Sequence, residues 1–384
     1  MLIGVGLFAA AITFATNWLA LIPWRRVRDQ HWTKRARLHF PVRVAAASSL
    51  WTVPAALTMS CLLVWPDESP HWALLVLAAA IGTVAGNIPM DREVFPRISL
   101  RDLLRQIAVT CLIRFLMWFV LLAAATSMPQ QFNLEALLIA VAVLVACIFW
   151  NRNGWVYLGR KLGLFQPPPE RLQKIVQETA ARMNVGYSEL WLMRISVAQA
   201  FAMPDSRVLL FSERLLELLS DKEIAAVCAH ELAHLTEPRR HYFQRYVIWL
   251  LFLPWVLFKP IVHACGVLGF FMLLLTTVCV PVVYRRISLK LEARADELAH
   301  QNEAEEGSYA RALLRLHEDS LLPAVMAKSR TAHPHLYDRL LAAGLTPDFP
   351  RPTPAAAMAW PGIVWSAALG MSAMFLVLRL TQQQ

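Results

Sequence analysis

His230, Glu231 and His234 form an HExxH pattern inside the stretch SDKEIAAVCAHELAHLTEPRRH, residues 220–241. On a helix, positions i and i+4 share one face, about 6 Å apart. Two imidazoles at that spacing can both reach one zinc ion, and Glu231 beside them can take a proton from a water on that ion. A catalytic zinc also needs a third protein ligand and an open position. Downstream, the stretch LEARAD places Glu292 and Asp296 at i and i+4. Glu292 is a carboxylate suited to the third ligand; Asp296, one turn on, can accept a hydrogen bond from a zinc-bound histidine and fix its tautomer. A charged helix such as KLEARADELAHQNEAEE would by itself read as a solvated face, and the HExxH upstream reverses that reading. The expected cofactor is one Zn2+ per chain.

These residues need elements to hold them. Ser220 followed three residues later by Glu223 predicts a capping box, so a helix starts there and carries His230 to His234 in its body. Before it, ERLQKIVQETAARMN has apolar residues at Leu172, Ile175, Val176, Ala180 and Met183, the stripe of an amphipathic helix. ELWLMRISVAQAFAMPDSRVLLFS is rich in branched and aromatic residues and broken by a turn signal, which predicts an antiparallel strand pair or a three-stranded sheet. SERLLELL predicts a short helix. GLFQPPPE and TPDFPRPTPAAA are proline-stiffened linkers.

Composition sets the surroundings. Of the 384 residues, 57% are hydrophobic and only 17% charged, with a mean hydropathy of +0.45. A soluble chain would be about a quarter charged, so this is an integral membrane protein in contact with a lipid bilayer. The net charge is +10. Its distribution excludes nucleic acid as the partner, because the basic residues sit in alternate loops between apolar runs and not on a soluble stripe. None of the six cysteines forms a CxxC, which argues against a disulfide framework or a thiolate metal site.

The apolar runs are 2–22, 44–65, 72–85 (short), 107–125, 136–150, 246–258, 262–284 and 360–378, giving about eight spans. The loop after the first run carries seven Lys/Arg against one Asp, and the loop PDESPH after the second carries none. By the positive-inside rule the amino terminus faces outward and the chain emerges in the cytoplasm after the fifth run. The expected fold is a mostly α, polytopic membrane helical protein with a cytoplasmic α+β domain containing a small β-sheet. The expected domains are a membrane bundle over 1–158, a metal-binding domain over 159–355 interrupted by a membrane hairpin at 246–284, and a final span over 356–384. The hairpin hinges near Lys259-Pro260. If it crosses the bilayer it must do so an even number of times, because His234 and Glu292 have to meet at one ion; a shallower re-entrant hairpin is the alternative.

AVCAHELAH followed by EARAD, with apolar runs around both, resembles the membrane gluzincin zinc metallopeptidases, which include the HtpX-like heat-shock proteases and the CAAX prenyl endopeptidases. The similarity covers residues 170–341. Two departures stand out: Gln199-Ala200-Phe201 where the family has Asn-Ala-Phe, and Ser288-Leu289 where it has Ser-Arg. The resemblance implies a zincin-like domain that hydrolyses peptide bonds, with His230, His234 and Glu292 on zinc and Glu231 as general base. The family also carries a His-Pro followed by an Arg. Here these are His333-Pro334 and Arg339, a pair that could hydrogen-bond the oxyanion, or could instead cap the helix over 335–341 and form an ion pair. A substrate backbone could add to the edge strand at Ala200, Phe201 and Ala202. The expected substrate is a protein or peptide associated with the membrane, cleaved near the cytoplasmic face of a bacterial inner membrane. Three alternatives stay open: a sensor-transducer using the peptidase domain for signalling, a non-enzymatic zinc-stabilised membrane scaffold, and a transporter.

Overall fold

The computed structural model describes residues 2–64, 72–111, 116–238, 253–327 and 334–382. They form two compact units, one of residues 1–100, 321–330 and 352–384, the other of residues 101–320 and 331–351. Residues 101–158 therefore group with residues 159–320, whereas the sequence reading drew the domain boundary at 158. The reason is packing: Val109 and Val156 share an apolar cluster with Phe165, Met193, Val208 and Leu210 of the sheet.

The first unit is helical, with long helices over Leu2–Ala20, Trp32–Val64, Trp72–Val94 and Trp360–Gln382. The first and third of these meet through small residues. A Cβ on Gly82 would lie 2.0 Å from the Gly6 carbonyl oxygen, and one on Gly86 would lie 2.5 Å from that of Ala10. Lipid gives apolar side chains little reason to prefer each other, so close backbone approach and interhelical hydrogen bonds do the joining. Asn17 Nδ2 donates to Asn87 Oδ1 at 2.6 Å in the same seam. The short run expected at 72–85 is thus a 23-residue helix that continues through Pro89. Likewise, the helix expected from 44 starts at Trp32 and takes in much of the basic loop.

The second unit holds a four-stranded mixed sheet in the order β1-β2-β4-β3, with β1 Phe165–Gln166, β2 Glu189–Met193, β3 Ala200–Met203 and β4 Val208–Ser212. The stretch read as an antiparallel pair or three-stranded sheet supplies three of these strands, β2, β3 and β4; the parallel pairing of β2 with β4 and the added β1 were not expected. β4 is buried along its whole length, so it takes a central place, parallel to β2 on one side and antiparallel to β3 on the other. β3, which exposes Phe201, is left at the edge. β1 comes from the stretch read as linker. Its Phe165 ring lies over Gly159, where a Cβ would come within 2.3 Å of Cε2.

Leu209 and Phe211 on one face of β4 pack with Leu172, Ile175, Val176 and Ala180 of the helix Glu170–Met183 and with Ile224, Cys228 and Leu232 of the helix Asp221–His234. The predicted stripe of the first helix and the HExxH helix thus share one core. The fourth apolar run gives two helices, Leu100–Thr110 and Leu116–Ser127, with residues 112–115 outside the described residues. The fifth extends through a π-type turn at Trp150–Gly154 to Lys161. Of the expected hairpin, residues 246–252 lie outside the described residues. Beyond them a short helix Leu253–Val256 is followed by the helical stretch Phe258–Gln301, in which two helices meet across a kink at Gly266 (φ 57°). A first break falls at Leu257, and Lys259-Pro260 sits in the first turn of that stretch, where proline is tolerated. Glu292 and Asp296 therefore ride on the continuation of an apolar helix and not on a separate soluble one. Among the described residues, five helices are long and apolar enough to cross a membrane: Leu2–Ala20, Trp32–Cys61, Leu74–Val94, Leu134–Lys161 and Phe258–Thr276.

Candidate metal centre

The HExxH helix is fixed at both ends. At its start the Ser220 amide and hydroxyl both donate to Glu223 Oε2 at 2.8 Å, and Arg315 donates to the same oxygen at 3.0 Å. At its end, Arg294 of the long helix donates to the Ala233 carbonyl at 3.5 Å and to Thr236 Oγ1 at 2.9 Å. A guanidinium there also meets the negative end of the helix dipole. Arg294 lies between Glu292 and Asp296 in sequence, so the contact that ends one ligand-bearing helix also docks the other.

That docking closes the site. His230 Nε2 and His234 Nε2 are 3.2 Å apart, and Glu292 Oε2 lies 3.4 Å from the first and 3.7 Å from the second. A tetrahedral zinc with ligand bonds of about 2.0–2.1 Å has ligand–ligand edges of about 3.3–3.4 Å. Three electron-pair donors turned on one point at these separations fit that ion, and repel one another unless a cation or a proton lies between them. His230, His234 and Glu292 are also the one group of this kind among the described residues. Glu231 is buried between the two histidines on the same helix. Cys228 is close in sequence but is not part of this group; burial, then the Glu231 charge, pushes its thiol up.

Each histidine is held by its other nitrogen. His234 Nδ1 lies 2.6 Å from Glu237 Oε1. His230 Nδ1 lies 3.1 Å from Asp296 Oδ1 and 2.7 Å from Tyr309 Oη. Arg339 Nη2 donates to both Asp296 Oδ1, at 2.5 Å, and Tyr309 Oη, at 2.8 Å. Burial opposes charge on His234, but hydrogen bonds to Glu237 and Glu292 overcome it and raise the imidazole to about 10. His230 is raised in the same way, burial being outweighed by Asp296 and Glu292. Both shifts come from carboxylates turned on the imidazoles, an arrangement that favours positive charge, and histidines must be deprotonated to ligate a metal ion.

The structure thus brings together His230, His234, Glu292, Glu231, Asp296 and Arg339. Arg339 Nη2 is engaged on Asp296 and Tyr309, the ion-pair alternative in the sequence reading, while its buried Nε has no hydrogen-bond partner among the described residues. His333 lies outside the described residues. Ala200, Phe201 and Ala202 lie on β3 at the sheet edge, with Ala200 and Ala202 packed on the core that includes Leu232 and Leu235 of the HExxH segment. Three residues that support the site were not singled out from the sequence: Glu237, Tyr309 and Arg294. Glu237 had a signal, its i+3 spacing from His234. Tyr309 had none, because nothing local points its hydroxyl at residues 79 positions away.

Long apolar helices together with a cluster that could hold a metal ion fit a metallopeptidase set in a membrane. Residues 168–344 match the model of peptidase family M48, so the chain carries an M48 peptidase domain. The crystal structure of Ste24p from S. mikatae superposes with a TM-score of 0.53 at 16% identity, covering 91% of this chain and 99% of that one. At that identity the likeness concerns the fold, and it extends to the membrane helices outside the M48 match. No curated protein sequence matches the chain.

Proposed function

We propose that the protein is a zinc endopeptidase of the gluzincin type that cleaves membrane-associated proteins or peptides near the cytoplasmic face of a bacterial inner membrane. The observation that carries this reading is the triangle of His230 Nε2, His234 Nε2 and Glu292 Oε2, with edges of 3.2, 3.4 and 3.7 Å, beside a buried Glu231. The cytoplasmic side rests on the basic loops flanking the apolar runs.

Zinc held there would polarise a scissile carbonyl and lower the pKa of a water towards ~7. The chain's own residues do the rest. Glu231 takes the proton of the attacking water and returns it to the leaving amine. The outward edge of β3, at Ala200, Phe201 and Ala202, pairs with an extended substrate backbone, which supplies hydrogen bonds without demanding a side-chain sequence. His333 is the residue assigned to the oxyanion on sequence grounds, and Arg339 acts from behind the histidines through Asp296.

The test is zinc content and cleavage of a membrane-protein substrate by purified full-length protein, wild type beside Glu231→Gln. Loss of a general base is expected to slow cleavage about 10²- to 10⁴-fold while zinc is retained. Equal cleavage by both proteins, or a wild type that binds no zinc, overturns the reading.

A further inference from the structure

We infer that Tyr309 is a positioning residue of the metal centre: backed by Arg339, its hydroxyl fixes His230 in the tautomer and orientation that leave Nε2 free for the ion. The inference deepens the proposed function and rests on reading His230, His234 and Glu292 as a zinc site.

Tyr309 lies in the first turn of the helix Ser308–Asp319 and is only 4% exposed. A buried hydroxyl has to satisfy one donor and two acceptor positions, and here the direction of all three bonds is forced. Arg339 can only donate, so its 2.8 Å contact uses one lone pair of Tyr309 Oη. Asp296 Oδ1 receives the same guanidinium at 2.5 Å, an ion pair that keeps the carboxylate an acceptor; the phenol proton therefore goes to Asp296, at 2.7 Å. The contact that remains, 2.7 Å to His230 Nδ1, must have the imidazole N–H donating to the second lone pair. A neutral imidazole protonated at Nδ1 carries its free electron pair on Nε2, which is the nitrogen facing His234 and Glu292.

Asp296 alone would hold His230 less well, since it is 3.1 Å from Nδ1 and shares that oxygen with Arg339. The tyrosine ring adds orientation, lying over the His230 ring with centroids 5.8 Å apart and planes 22° from parallel. Tyr309 is itself pinned. Buried Glu303 accepts from the Ser308 hydroxyl and the Tyr309 amide, each at 3.1 Å, and its other oxygen contacts His300 Nδ1. Helix Ser308–Asp319 is thereby started at the residue that presents the hydroxyl to the site.

The test uses purified full-length protein in detergent. Zinc affinity is measured by competition with a chromophoric chelator, and the geometry at the metal by the visible spectrum of Co2+-substituted protein. Tyr309→Phe keeps the ring and removes the hydroxyl alone. Its zinc affinity is expected to fall about 10- to 100-fold and its cobalt bands to shift, with helix content unchanged. Arg339→Lys keeps the charge but replaces the planar, pre-organised guanidinium, whose Nη2 reaches both oxygens, with a flexible ammonium, and is expected to move both readouts in the same direction by a smaller factor. Wild-type affinity and an unshifted spectrum in folded Tyr309→Phe overturn the proposal and leave the zinc reading standing. If Tyr309→Phe does not fold, Arg339→Lys decides: shifted readouts support the proposal and unchanged ones overturn it. A wild type that binds neither zinc nor cobalt overturns the zinc reading itself, and the inference falls with it.

Discussion

His230 and His234 stand one helical turn apart and offer the same nitrogen to the same point, yet the chain supports them in different ways. His234 leans on Glu237, three residues on, through one contact of 2.6 Å. His230 leans on Asp296, Tyr309 and Arg339, which come from three other helices. One support is local and forms with the end of its own helix. The other exists only after the long helix, the helix Ser308–Asp319 and the helix Leu336–Ala342 have all docked. Local support costs little ordering. Tertiary support ties the metal site to the integrity of the whole unit, so zinc occupancy should report on folding at His230 more than at His234.

The comparison can be broken at several points. The largest effect is expected from Glu292→Ala, which removes the vertex shared by both histidines; zinc affinity, read by chelator competition, should fall by more than the ~10- to 100-fold typical of outer partners. Next comes Asp296→Ala. It weakens the hold on His230 and also strands Arg339, a buried guanidinium. Removing one partner of a buried pair costs about 3–5 kcal/mol, so denaturant unfolding of the chelated protein should show a large loss. Glu237→Ala removes the carboxylate that holds His234 from the end of its own helix. Its cost to stability should be about 1–3 kcal/mol, clearly below that of Asp296→Ala. Equal losses from the two would remove the distinction between local and tertiary support.

A pH prediction sharpens the same point. In chelated protein, His234 is raised to about 10 by Glu237 and Glu292 against burial, while an unfolded chain has its histidines near ~6.5. A raised folded pKa contributes stability that is complete below the unfolded value and lost as pH climbs through the folded one. The melting temperature of chelated protein should therefore fall between about pH 6.5 and pH 10. Zinc affinity should rise over the same range, because the ion displaces protons. A melting temperature that is flat or rises with pH across this window would contradict the arrangement of charges around His234. The smallest effect is expected from Arg294→Ala, which removes a largely exposed cap on the HExxH helix, at about 0.3–1 kcal/mol.

Much of this was legible in the residues. The HExxH spacing, the Ser220–Glu223 cap and the stripe Leu172, Ile175, Val176 and Ala180 are periodic, local signals, and the helices stand where they point. The pairing within the sheet was not legible. Nothing in ELWLM or VLLFS says that these strands pair in parallel; the complete burial of β4 decides it, and burial depends on what packs above and below. Nor did the sequence show that the long apolar run and the charged LEARAD stretch are one helix, because periodicity reads each segment's polarity and not its continuity with the next. Gly6, Gly82 and Gly86 lie scattered along apolar runs, and only the close approach of two helices gives them a common role.

By itself, the sequence determined which atoms could hold a metal ion: imidazoles at i and i+4 share a helix face whatever surrounds them, and a carboxylate was to be sought in LEARAD. Asp296 was marked as a partner by its place one turn after Glu292; only the tertiary structure decided that Tyr309 and Arg339 join it behind His230, since these are neighbours through packing alone. Hydrogen bonds act over about 3 Å, a distance that chain spacing sets along one helix and leaves open between helices.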